Sequence, residues 1–281
     1  MMARDLILEL PHLRLAAREW GPSDGPPVLA LHGWLDNAAS FDRLAPLLPD
    51  LHLVALDLAG HGRSQHLHPG VVHHFIDWAP EVVATAEVLG WQSFALIGHS
   101  MGAGISTLVA GTFPGRVQRL VLLEGAGPLA ADASRAPTQL ALAVEDEARA
   151  AAVSPRLFPD FDAAVKARLR DSDLDTEAAK LLVERGSEEA EGGVRFTHDP
   201  RLRTRSRTRL TEDQVLAFLE AIECPVLAVR ALQGWPFPED LVAARLETIK
   251  HIETAEIDGG HHVHLTHPER VAPLIHQFFA D

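Results

Sequence analysis

Cysteine is nearly absent: Cys224 stands alone in 281 residues. One thiol excludes an intrachain disulfide and fits a reducing compartment. Positive charge is scarce too. The chain sets 25 Lys and Arg against 39 Asp and Glu, a net charge of −14, which argues against a general nucleic-acid binder. No run approaches the ~20 apolar residues of a membrane-spanning helix. The opening Met1-Met2-Ala3-Arg4-Asp5 is charged early and leads into no apolar stretch of signal-peptide length. Neither an internal repeat nor a long low-complexity tail is present. The expectation is a cytoplasmic protein that meets neither membrane nor nucleic acid. Apolar residues are plentiful at 47%, enough at this length for one large α/β domain with an insertion, or for two small domains.

Short apolar runs alternate with longer helix-compatible ones, the pattern of a mostly parallel sheet with helices on both faces. Leu6–Leu10 and Leu13–Arg18 read as an opening pair of strands, and Pro27–Leu31 as the next. Ser40–Leu48 is expected as a helix, Leu51–Leu56 as a strand, Ile76–Leu89 as a helix, and Ser93–Ile97 and Val117–Leu123 as strands. From about Leu129 to Arg209 strand signals vanish and Ala, Glu and Arg dominate, so this stretch is expected to be a helical insertion. Sheet-type alternation resumes with Thr211–Ile222 (helix), Pro225–Arg230 (strand), Glu239–Thr248 (helix), Ile252–Ile257 (strand) and Pro268–Phe279 (helix). The apolar stripe of Val215–Ile222 is expected to face the core.

The chemistry-bearing signal is Gly98-His99-Ser100-Met101-Gly102, a G-x-S-x-G. Alone that pattern is common. Here the apolar Phe94-Ala95-Leu96-Ile97 leads in, and small residues lead out toward a helix-like stretch ending at Phe113. Strand, sharp turn, helix is a nucleophile elbow, which exposes a serine hydroxyl at a helix start. Glycines are needed where strand and helix approach too closely for side chains. Ser100 is the candidate nucleophile. Acyl transfer also needs a base, a group that orients it, and an oxyanion hole.

Further pieces span nearly the whole chain: His32-Gly33-Trp34, Asp57-Leu58-Ala59-Gly60-His61-Gly62-Arg63-Ser64, and Gly260-His261 followed by Val263-His264-Leu265 and Pro268-Glu269. With the elbow, they resemble the α/β-hydrolase superfamily, in its serine-hydrolase-like branch. The resemblance implies an eight-stranded, mostly parallel sheet with helices on both faces and a helical cap. It divides the chain into a core of residues 1–127 and 210–281 and a cap of 128–209. It places the base at His261 and the oxyanion hole at the backbone N–H groups of Met101 and Trp34. Met101 follows the nucleophile at a helix N-terminus, which favours developing negative charge. The Trp34 ring, and His99, are expected to touch substrate.

The commoner family position for the acid, after the strand Pro225–Arg230, holds Ala231-Leu232-Gln233-Gly234-Trp235-Pro236, with no carboxylate before Glu239. Val121-Leu122-Leu123-Glu124-Gly125 offers another, resembling the arrangement of some haloalkane dehalogenases. Asp258 lies on the same loop as His261 and suits a turn; Glu239 suits a helix start. Glu124 is therefore the expected orienting acid. Ser-His-Glu chemistry on a small-molecule carboxylic ester is the leading reading. Carbon–carbon or amide cleavage by the same triad, and ligand binding without turnover, are the alternatives. A serine in place of an aspartate argues against dehalogenase and epoxide-hydrolase chemistry.

Other signals point to less. Sixteen histidines invite a metal, but no His-x-His-x-Asp-His or His-Glu-x-x-His pattern occurs. His66, His68, His73 and His74 read as a solvated loop. Gly98, Gly102 and Gly104 make no dinucleotide fingerprint. Neither metal nor cofactor is expected. The basic run Arg195, Arg201, Arg203, Arg205, Arg207 and Arg209 reads as a solvated surface paired with the acidic stretch Glu184–Glu191.

Overall fold

A computed structural model describes residues 3–151, 156–170 and 172–280. Eight strands form one sheet: β1 (Arg4–Glu9), β2 (Arg14–Trp20), β3 (Pro27–Leu31), β4 (His52–Leu56), β5 (Phe94–His99), β6 (Val117–Leu123), and, after three short strands described below, β10 (Val226–Gln233) and β11 (Ile252–Gly260). Their spatial order is β1-β2-β4-β3-β5-β6-β10-β11. β1, β2 and β4 pair antiparallel, and every pairing from β4 to β11 is parallel. Strands β3, β4 and β5 are short, almost wholly apolar and buried on both faces, as a helix-covered parallel sheet requires.

The chain runs from β3 outward to β4, then returns past β3 to β5. Loops leaving β3 and β5 therefore diverge, and this reversal opens the crevice where open α/β sheets bind ligands. α1 (Trp78–Val88) and α2 (Met101–Thr112) join one apolar cluster with Leu29, Leu31, Leu56 and Leu96. The opposite cluster holds Val28, Ala30, Phe41, Ile97 and Val229.

Residues between β6 and β10 leave the sheet and return to it. This insertion contains α3 (Ala136–Ala151), α4 (Phe161–Leu169) and α5 (Thr176–Arg185). It also contains β7 (Leu157–Phe158), β8 (Ser187–Ala190) and β9 (Gly193–Phe196), an antiparallel sheet in the order β7-β9-β8. An all-helical insertion was expected, so the sheet is a correction. Glu188 and Glu189 are poor strand formers, yet the Gly192-Gly193 turn (φ 86° and 151°) reverses the chain and pairs them with Val194 and Arg195. Tertiary pairing overrides the local signal. Phe158, Val165, Leu174, Leu182 and Val183 give the insertion its own small core, and Leu265, four residues past His261, plugs into it.

A second correction concerns Ser40–Leu48. It is two 3₁₀ turns, Ala38–Phe41 and Ala45–Leu47, not a helix. Pro46 lacks the N–H and clashes with the preceding turn. After the insertion come α6 (Glu212–Glu220), α7 (Glu239–Thr248), α8 (Val263–Thr266) and α9 (Pro268–Ala280). Val215 and Leu219 of α6 are fully buried, as the stripe required. Among the described residues, no helix is long and apolar enough to cross a membrane.

Candidate active site

The elbow forms where β5 meets α2. Ser100 has φ 52° and ψ −111°, a conformation that costs a non-glycine residue on the order of 1–3 kcal/mol. Close packing enforces it. A Cβ on Gly102 would lie 2.1 Å from the Leu31 carbonyl oxygen, and one on Gly98 would lie 2.6 Å from Ala103 Cα. The Ser100 N–H is fixed to the Leu123 carbonyl at 2.9 Å.

His261, just past the end of β11, reaches Ser100 with Nε2 2.9 Å from Oγ. Its Nδ1 lies 3.2 Å from Glu124 Oε2. In that tautomer Nδ1–H donates to the carboxylate and Nε2 accepts the serine proton. Glu124 ends β6 with φ 54°, and its carboxylate also accepts the N–H of Ala231 at 2.6 Å and of Trp235 at 3.1 Å. Gly234 explains how the β10 loop can wrap it: a Cβ there would sit 2.0 Å from Glu124 Oε2. The other carboxylates considered lie elsewhere. Asp258 pairs with Arg270, and Glu239 opens α7.

Ser100, Met101, Trp34 and His261 line a cavity of about 880 Å³. Met101 is the first residue of α2, where an N–H has no partner within its own helix. The Trp34 N–H sits in the loop after β3 with no acceptor among the described residues. Trp34's ring lines the cavity, about half exposed, and its indole N–H donates to the Leu202 carbonyl of the insertion at 2.9 Å. His99, expected to touch substrate, is among the residues lining the cavity but is almost wholly buried. It lies in the wall under the site and donates from Nε2 to the His261 carbonyl at 2.9 Å. Burial first, and its neighbours His264, His261 and His262 next, hold its pKa well below the ordinary value.

The histidine loop is only half solvated. His66 and His68 are exposed, but His73 is turned inward with Nε2 3.1 Å from Asp199, and both His73 and His74 line the cavity. The basic run also pairs differently from expectation. Arg195 meets Glu188, but Arg205 and Arg207 meet Asp146 and Glu147 of α3, and Arg201 meets Asp199. Among the described residues, no group of three or more His, Cys, Asp or Glu could hold a metal ion.

Some residues near the site have partners that the sequence did not reveal. Asp57, in the Asp57–Ser64 motif, is fully buried and accepts the N–H of Ala38 and of Arg63. The Arg185 guanidinium of α5 reaches it at 2.9 and 3.0 Å and extends to Asp5. The motif therefore anchors the insertion to the sheet. Asp36, Arg168 and Asp173 form a second cluster around His262.

A model of the alpha/beta hydrolase fold family matches residues 26–268. The chain belongs to the α/β-hydrolase family, in its serine-hydrolase-like branch. This hydrolase is 31% identical to serine hydrolase-like protein 2 of Homo sapiens over 294 residues, covering 98% of this chain and 93% of that protein. Hypothetical protein PA1622 from Pseudomonas aeruginosa PAO1 superposes with a TM-score of 0.94 at 43% identity, covering 99% of both chains. A thioesterase domain from the curacin biosynthetic pathway gives a TM-score of 0.85 at 28% identity, covering 98% of this hydrolase and 99% of that domain.

Proposed function

We propose that this serine hydrolase cleaves a carboxylic ester through an acyl-enzyme on Ser100. The observation that carries the reading is the hydrogen-bonded relay from Ser100 Oγ through both nitrogens of His261 to Glu124, opening on the cavity. Ser100 Oγ attacks the carbonyl carbon while its proton passes to His261 Nε2. The Met101 and Trp34 N–H groups receive the oxyanion. Collapse expels the leaving alkoxide, which takes the proton back from Nε2. Water then repeats the sequence on the acyl-enzyme and frees the acid. Glu124 holds Nδ1–H and stabilises the imidazolium. Residues 128–209 act as a cap that shapes the acyl pocket.

Likeness to a thioesterase domain favours adding thioesters, since the same attack serves both acyl groups. The test is a panel of p-nitrophenyl esters and acyl thioesters graded by acyl length, on wild type and on Ser100→Ala. Turnover in wild type and none in the variant is expected. Turnover that survives Ser100→Ala overturns the reading. Exchanging the cap for that of a relative is expected to change acyl preference and leave Ser100 reactive; an unchanged profile would return the pocket to the core loops.

A further inference from the structure

His262 follows the candidate base and lines the same cavity, but its ring nitrogens meet a polar cluster instead of Ser100. Its Nδ1 lies 2.5 Å from Asp173 Oδ1, and its backbone N–H donates to Asp173 Oδ2 at 2.8 Å. Its Nε2 lies 3.4 Å from Asp36 Oδ2. Asp36 is 2% exposed, and its other oxygen takes the Arg168 guanidinium at 2.5 Å. Three further rings face His262: His99, His261 and His264, with centroids 5.2, 5.4 and 6.4 Å away. His99 and His264 are fully buried, and burial holds both pKa values down, His264 to about 3.

Both ring nitrogens of His262 thus face carboxylate oxygens, Nδ1 in a hydrogen bond to Asp173 and Nε2 in an ion pair with Asp36, and a doubly protonated ring suits both. Two carboxylates, one guanidinium and one imidazolium sum to zero charge; a neutral ring would leave the cluster negative. The members come from three places. Asp173 and Arg168 belong to the insertion, Asp36 to the loop carrying Trp34, and His262 to the turn carrying His261. Contact with the turn is tight, since a Cβ on Gly260 would sit 2.2 Å from Asp173 Oδ2.

We propose that Asp173 and Asp36 clamp the His262 ring, and that this clamp positions the His261 turn and the Trp34 loop together while fastening the insertion over the cavity. His262, Asp36, Asp173 and Arg168 are then positioning residues for the reaction proposed above, on which this inference rests. Burial alone would lower the proton affinity of His262, but the charge of Asp36, the hydrogen bond to Asp173 and the charge of Asp173 outweigh it and raise the pKa to about 9. The clamp is closed at neutral pH and opens as pH rises through that value.

Asp173→Asn is the informative variant, because it keeps the shape and removes the charge at a half-buried position. Two readouts over pH 6–10 are paired: the imidazole NMR titration of His262, and the rate of fluorophosphonate labelling at Ser100. In wild type, His262 titrates near 9 and the labelling rate descends with it. In Asp173→Asn both move down together by about one pH unit or more, the usual effect of removing an adjacent opposite charge. His262→Gln abolishes the descent and slows labelling at neutral pH by about 10²-fold, the cost of roughly 1 Å of misplacement. A labelling profile in Asp173→Asn that superimposes on wild type, or His262 titrating near its ordinary value in a wild type that labels, overturns the clamp. A wild type that labels at no pH overturns the hydrolase reading and the catalytic part of this proposal, while the NMR titration still judges the clamp itself.

Discussion

The sheet edge and the insertion above it are built on different principles. At the edge, backbone places the chemistry: Ser100 and Glu124 both sit at positive φ on the ends of adjacent parallel strands, held by glycines that admit no Cβ. In the insertion, side chains do the work. A small core closes around Leu265, and Arg185, Arg168 and Asp173 grip carboxylates and a histidine of the sheet domain. Backbone geometry of the first kind tolerates almost no change. Side-chain grips of the second kind can be altered one at a time. The comparison teaches that the proposed reactivity rests on the edge and its proposed alignment on the insertion.

The largest effect that would break this division is expected at the edge. Glu124→Gln keeps the shape of the carboxylate and should leave the fold intact while lowering kcat by about 10⁴-fold, as loss of a triad carboxylate does. Asp258→Asn and Glu239→Gln should be far milder. A near-normal kcat for Glu124→Gln would move the role to another group. At the grip, Arg185→Met leaves Asp57 buried with only backbone donors. Breaking a buried pair costs about 3–5 kcal/mol, read as a lower urea midpoint. An unchanged midpoint would mean that the Ala38 and Arg63 N–H groups satisfy Asp57 alone.

Acid should loosen the molecule through its buried histidines, against the opposing contribution of the buried Glu81 carboxyl, whose pKa burial raises to about 8. His32, His61, His99 and His264 are fully buried, with pKa values pushed down chiefly by burial. Neutral in the folded state, they take up protons on unfolding below the ordinary histidine pKa, so stability falls as pH drops from 7 to 5. With a folded pKa of about 3, His264 alone contributes a loss of about 2 kcal/mol at pH 5. His262, shifted the other way, contributes stability that is fully present below its unfolded pKa and disappears as pH rises through about 9. Melting curves of wild type at pH 5 and 7, and of wild type and His262→Gln at pH 7 and 9.5, test both signs, since the Glu81 carboxyl also ionises above about 8; equal Tm values at pH 5 and 7 would contradict the first, and an equal alkaline loss in both proteins the second. The smallest effect sharpens the comparison. Arg207→Ala removes an exposed pair with Glu147 and should change stability by less than about 1 kcal/mol.

Legibility followed the same line. The elbow, the β3 and β11 loops and the Glu124 position were readable because a parallel sheet fixes where strand ends lie, so short motifs determine geometry. Pro46 broke an expected helix through a rule as local as the motifs themselves. His99 lines the cavity as its place beside Ser100 suggests, but the sequence does not show how deeply the elbow buries it. The insertion was least legible. Its β8–β9 hairpin carries acidic residues that deny their strand, and Asp173, Arg168 and Arg185 act on partners 89 to 132 residues away. Grips over such separations leave no periodic trace.

The central claim is that the Ser100–His261–Glu124 relay makes one hydroxyl reactive. Intact-mass analysis after brief fluorophosphonate treatment, with peptide mapping of the adduct, tests it most directly. The account predicts one adduct on Ser100 in wild type, none in Ser100→Ala, and strongly slowed labelling in His261→Ala. An adduct that persists in Ser100→Ala, or labelling at the wild-type rate in His261→Ala, would contradict it.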